Sequence, residues 1–160
     1  MQSRRTPRGQ QIDVDVDPHR HLSYVIAKVG HQLQHRIGRA LSTQGITLTQ
    51  FSALAHISRS PGLSNADLAR AMLTTPQATT TLVRRLTDAG LVERPGVAPG
   101  LAGTIWLTTR GIGTLKGSDE IATQAEAEAL NKAISPAEQG RLLTMLRDLS
   151  AALERRETDE

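Results

Sequence analysis

A chain of 160 residues with a formal charge of +3 has room for one ordinary domain, and the absence of cysteine excludes disulfide frameworks, thiolate zinc sites and thiol-based redox sensing. About 38% of the residues are apolar, yet the aromatics are only Tyr24, Phe51 and Trp106, so the core must be built from Leu, Val, Ile and Ala, a supply that suits packed helices. No apolar run approaches the roughly 18 residues of a membrane span and the start MQSRRTPRGQ has no signal-peptide segment, so a cytoplasmic protein without membrane contact is the expectation.

Residues 1–17 hold Arg4, Arg5 and Arg8 and are expected to form a solvated, disordered basic arm, with phosphate contact as its functional alternative. Asp17-Pro18 pairs an N-cap with a proline at the first helical position. Leu22, Val25, Ile26, Val29, Leu33, Ile37 and Leu41 then recur at helical spacing up to Gly45, which predicts one long amphipathic helix. Thr49 is expected to cap a second helix carrying Phe51, Leu54, Ala55 and Ile57, stopped by Pro61-Gly62. Ser64 and Asp67 form a capping box for a short third helix with Leu68, Ala69 and Met72 inside. After a tight break, Thr75-Pro76 opens a fourth helix whose apolar side is read as Ala78, Leu82, Leu86 and Ala89, and Gly90 ends it.

Residues 91–94 and 104–107 are strand-like, and the stretch between them is Pro, Gly and small apolar residues: two strands and a loop make a wing. Thr108 or Thr109 can cap a fifth helix to about residue 133, with Gly111, Gly113 and Gly117 weakening its start. Ser135-Pro136-Ala137-Glu138 opens a sixth, with Leu142, Met145, Leu146, Leu149 and Leu153 at coiled-coil-like spacing. The fold class is therefore mainly α, a winged helix-turn-helix with a two-stranded wing, flanked by long N- and C-terminal helices.

Two short helices, a tight turn and a third helix with a polar outer face are what reading double-stranded DNA requires, since a major groove admits one helix. Stepping Thr75 to Ala89 at helical spacing turns Gln77, Thr80, Thr81, Arg84 and Asp88 away from the apolar side. Gln77 suits adenine, Arg84 suits guanine or a phosphate, and Thr80 and Thr81 offer a hydroxyl and a methyl to thymine. Arg85 and Arg94 suit phosphates, and Ser64 and Thr75, at helix starts, complete the candidate DNA contacts. A run of three threonines, 79–81, is a poor choice for helix stability alone.

Taken together, Leu48-Thr49-Gln50-Phe51, Ser64-x-x-Asp67-Leu68-Ala69, Thr75-Pro76-Gln77 through Leu86, Gly90-Leu91-Val92-Glu93-Arg94 and Leu107-Thr108-x-x-Gly111 resemble the multiple-antibiotic-resistance regulator (MarR) family, in its order, from about residue 20 to 155. The resemblance implies a homodimeric transcription regulator, more readily a repressor, that binds a pseudo-palindromic operator. It implies a winged helix-turn-helix over residues 46–111 and a dimerisation module over 18–45 and 112–157; the apolar stripes of the first and last helices are long enough for that role. It also implies release of DNA by a small aromatic or phenolic effector, for which Tyr24, His31, Phe51, His56 and Trp106 are the candidate pocket residues.

The wing departs from the family pattern. Members usually carry an Asp and an Arg there, whereas no residue from Pro95 to Ile105 is charged. That leaves Arg94 and the basic arm to reach the backbone, and it keeps open an alternative in which the winged helix binds a protein partner and has lost specific DNA reading. The spacings of His31 and His35 and of Asp13, Asp15, Asp17, His19 and His21 match no recognised metal site, and no cofactor is expected. With no nucleophile elbow, phosphate-cradling glycine loop or His-Glu-x-x-His run, an enzyme is not expected.

Overall fold

The structure, a computed structural model, describes residues 16–95 and 103–158; the basic arm with Arg4, Arg5 and Arg8, and the tip of the wing, lie outside them. The chain divides into two compact units, Met1–Gln32 and Leu33–Glu160.

In the first unit the Asp17 carboxylate accepts from the His19 backbone N–H at 2.9 Å, but the element it caps is a single 3-10 turn, Pro18–Arg20, rather than the long helix. His21 is extended (φ −95°, ψ 120°), and its carbonyl accepts from the Val25 N–H at 3.2 Å, so His21 takes the N-cap place of α1 (Leu22–Ser42). The proline fixes the tight turn, and one extended residue resets the hydrogen-bond ladder. The His19 and Tyr24 rings meet edge to face, centroids 5.1 Å apart.

The second unit contains the main core. Gly45, at φ +70°, turns the chain out of α1 into α2 (Leu48–Arg59). Thr47, not Thr49, caps α2: its hydroxyl accepts from the Gln50 N–H and the Gln50 side chain accepts from the Thr47 N–H. Thr47 has a glutamine three residues on, long enough to reach back, whereas Thr49 is followed at that distance by Ser52. α3 (Asn65–Ala71), α4 (Pro76–Asp88) and α5 (Thr109–Leu130) begin at the predicted caps Ser64, Thr75 and Thr108, and α6 (Pro136–Thr158) at the box of Ser135 with Glu138.

β1 (Val92–Glu93) pairs antiparallel with β2 (Trp106–Leu107), Val92 opposite Leu107 and Glu93 opposite Trp106. An isolated bridge from Ile105 to Leu63 ties the root of the wing to the entry of α3. Leu41, Leu54, Ile57, Leu68, Val83, Leu86, Val92 and Ile105 are almost wholly buried and form one cluster, so every element of the helix-turn-helix and the wing root is anchored to the same core. Gly111 is part of that anchoring: a Cβ there would lie 2.0 Å from the Leu91 carbonyl oxygen, so only glycine lets α5 start against the segment that leads into β1. At Gly111, what reads in sequence as a weakness of the fifth helix is a packing requirement, whereas Gly113 and Gly117 face open space. α6 behaves differently, with Leu142, Leu143, Met145, Leu146, Leu149 and Leu153 all exposed.

Candidate nucleic-acid interface

The turn between α3 and α4 is closed by the Leu73 N–H to Arg70 carbonyl (3.1 Å) and Thr74 N–H to Ala69 carbonyl (3.0 Å) hydrogen bonds. It places Leu73 at φ +51°, a left-handed conformation unusual for leucine, with its side chain 96% exposed. Thr75 then caps α4, accepting from the Ala78 N–H at 3.2 Å, and Pro76 occupies the first turn.

The inner face of α4 is Thr79, Val83 and Leu86, with Leu82 half-buried beside them; Ala78 is exposed. The helix is therefore rotated slightly from the apolar stripe read in the sequence. Thr79 is fully buried because its hydroxyl donates to the Thr75 carbonyl at 3.1 Å, which lets a threonine pack as valine would. Of the three successive threonines, one thus belongs to the core, and two face outward.

Gln77, Thr80, Thr81 and Arg84, at spacings of three and four, share the exposed outer face, with Arg85 on the flank. Among the described residues an ion pair joins Arg70 to Asp67, and Arg84, Arg85 and Arg94 form no ion pair there. Thr80 is less free than its exposure suggests: its hydroxyl donates to the Pro76 carbonyl at 2.9 Å and accepts from the Asn65 amide at 3.3 Å. The same Asn65 accepts from the Arg94 guanidinium at 2.6 Å. Asn65 has no signal in the sequence, since its partners stand 15 and 29 positions away. Ser64 donates its hydroxyl to Asp67 at 2.6 Å and accepts from the Asp67 N–H, so its hydrogen-bonding capacity goes into the box. Those Ser64 bonds, with Arg70 assisting, hold the Asp67 carboxyl below the usual range.

A cleft of about 430 Å³ opens beside this surface, between the α3–α4 turn, α4, α2 and Gln34 in the middle of α1. Leu48, Met72, Leu73, Ala78 and Leu82 give it an apolar lining, Gln34, Thr49, Ser52, His56 and Thr74 a polar one, and no Lys, Arg, Asp or Glu lines it. Of the five pocket candidates His56 lines this cleft. Phe51 packs against the core, Trp106 lies over Gly62, and Tyr24 and His31 belong to the first unit. The candidates follow from the apolar lining and few polar anchors expected of such a pocket, whereas the cleft is made by polar and aliphatic side chains from four segments that sequence spacing does not bring together. No group of three metal-ligating side chains gathers among the described residues.

Residues 44–99 match the model of the MarR family. The chain is 40% identical over 116 residues to the HTH-type transcriptional repressor Rv2887 of Mycobacterium tuberculosis, an alignment covering 72% of this chain and 84% of that one. The chain belongs to the MarR family. Two crystal structures of that MarR family protein resemble it throughout the fold: its complex with DNA (37% identity, TM-score 0.70, covering 81% of this chain and 97% of that one) and its complex with p-aminosalicylic acid (37%, TM-score 0.71, 81% and 98%). As a MarR family member the chain is a transcription regulator and not an enzyme, and none of its described helices is long and apolar enough to cross a membrane.

Proposed function

We propose that this MarR protein is a homodimeric repressor that reads a pseudo-palindromic operator with α4 and lets go when a small aromatic ligand enters the cleft at the α3–α4 turn. The observation that carries the reading is the outer face of α4, where Gln77, Thr80, Thr81 and Arg84 stand exposed together and two adjacent arginines lack acidic partners among the described residues. In this reading Gln77 pairs with adenine, Arg84 with guanine, and the threonines present methyl groups to thymine, Thr80 having committed its hydroxyl hydrogen to Pro76. Arg85, Arg94 and the Thr75 hydroxyl grip phosphates, and Ser64 contributes by fixing the start of α3.

The exposed leucines of α6 supply a dimer surface, as do, separately, Leu22, Ile26 and Val29 of α1, and two reading helices about 34 Å apart would then enter successive major grooves on one face of the duplex. The effector site is supported by the relative's complex with p-aminosalicylic acid and by the cleft's position: Ala78 and Leu82 of α4 form part of its wall, so an occupant that pushes on them re-aims the reading helix. Repression is supported by the 40% identical relative, a transcriptional repressor.

Selection of bound fragments from random DNA, followed by a salt series on the recovered duplex, tests the reading. Log K should fall steeply with log salt, and p-aminosalicylate should weaken binding. A flat salt response would sink DNA reading and favour a protein-binding role for the winged helix.

A further inference from the structure

The wing carries a single cation. From Val92 to Leu107 the only Lys or Arg is Arg94, at the foot of the wing and not at its tip. Its guanidinium is half-buried and bound to Asn65 at 2.6 Å, with no carboxylate within ion-pair distance among the described residues. A guanidinium only donates hydrogen bonds, so it fixes which end of the Asn65 amide faces it: Oδ1 meets Arg94, and Nδ2 is left pointing at Thr80. Thr80 can accept there because its own hydrogen goes to the Pro76 carbonyl. The donors therefore run in one direction, from Arg94 to Asn65 to Thr80 to the first turn of α4, joining wing, α3 and reading helix.

We propose that Asn65 is a positioning residue for DNA binding: it anchors Arg94 to the reading helix so that the wing's one cation reaches a phosphate in fixed register with the bases α4 reads. The inference rests on the DNA-reading role assigned to α4. The chemistry of the anchor is what distinguishes this from packing. A carboxylate at position 65 would hold the guanidinium more firmly but cancel its charge, whereas a neutral amide holds it and leaves the full positive charge for the backbone. Pre-ordering the long side chain also removes much of the entropy that a free surface arginine loses on binding.

The test uses the full-length protein and a duplex recovered by selection with the wild-type chain. Arg94→Ala should lower affinity and reduce the slope of log K against log salt by about one per bound subunit, the signature of one lost phosphate contact. Asn65→Ala should do most of the same although it removes no charge, and the double variant should be no weaker than Arg94→Ala. A purely structural asparagine would instead lower the melting temperature and leave the salt slope alone. If Asn65→Ala fails to fold, Thr80→Val, which keeps the branched shape and removes the acceptor, takes its place: its effect on the slope should vanish in the Arg94→Ala background. Wild-type slope in both Asn65→Ala and Thr80→Val, or losses that simply add to that of Arg94→Ala, would overturn the proposal. If those results come with a normal loss in Arg84→Ala, DNA reading by α4 survives; if wild type shows no salt-dependent binding, both ideas fall.

Discussion

At Gly111 the chain has no room for a methyl group, and at Gly62 it has neither room nor a suitable backbone angle. A Cβ on Gly111 would meet the Leu91 carbonyl oxygen at 2.0 Å, and one on Gly62 would meet the Trp106 ring at 2.8 Å with φ at +81°. Gly111→Ala should lower unfolding free energy by about 1–3 kcal/mol, seen as an earlier urea midpoint, because backbone cannot yield as a side-chain tip can. Thr79→Val tests the opposite case: its buried hydroxyl serves only the Thr75 carbonyl, so the isostere should change stability by under about 1 kcal/mol, whereas Thr79→Ala, which leaves a cavity, should cost more. The two capping-box carboxylates contribute a stability that is lost in acid. Ser64 holds Asp67 below its ordinary 3.8, and Ser135 holds Glu138 below its ordinary 4.5. Carboxyls depressed in the folded state stabilise it fully above those ordinary values and lose that contribution as pH falls through the lowered ones. Ser64→Ala should therefore destabilise more at pH 7 than in strong acid, where only the cap on the Asp67 N–H is still lost, a difference followed by urea midpoints across pH.

At the scale of an element, α4 joins a core face to the exposed face proposed to read DNA, and a substitution on either side should register differently. Arg84→Ala should cost about 1–3 kcal/mol of operator affinity and relax one base position while leaving the urea midpoint nearly unchanged, because the side chain is exposed and without an acidic partner. Leu73 offers a change in the other direction. Its side chain is exposed and its backbone left-handed, so Leu73→Asn should stabilise the turn by up to about 1 kcal/mol. How legible these elements are in sequence depends on the range of the interactions that make them. The caps at Ser64, Thr75, Thr108 and Ser135 are closed by residues three positions on, and they read directly. Thr47 is eclipsed by Thr49 only because two threonines compete near the same helix start. Thr79 escapes notice because a threonine's burial depends on where its hydroxyl goes, which composition does not reveal. Asn65 and the cleft are made by contacts between distant segments, and no local pattern announces them.

For the whole molecule, the surface that the proposed dimer would bury is on α6, whose leucines are exposed. Leu142, Leu143, Met145, Leu146, Leu149 and Leu153 leave to water an apolar surface of the kind that marks association sites. Leu146→Glu with Leu149→Glu should shift the protein toward monomer in sedimentation without loss of helical circular dichroism. It should also lower operator affinity roughly a hundredfold, because the second half-site is then no longer bound as an intramolecular event.

Trp106, the chain's one tryptophan, lies at the foot of the wing, its ring over Gly62, its indole N–H donating to Thr104 at 3.0 Å, and its surface 41% exposed. The protein thus contains its own optical probe at the joint between wing and helix-turn-helix. Emission from a single half-exposed indole reports the polarity of that joint alone, so operator docking or effector entry that tilts the wing can be followed in the unlabelled chain by colour and by quenching.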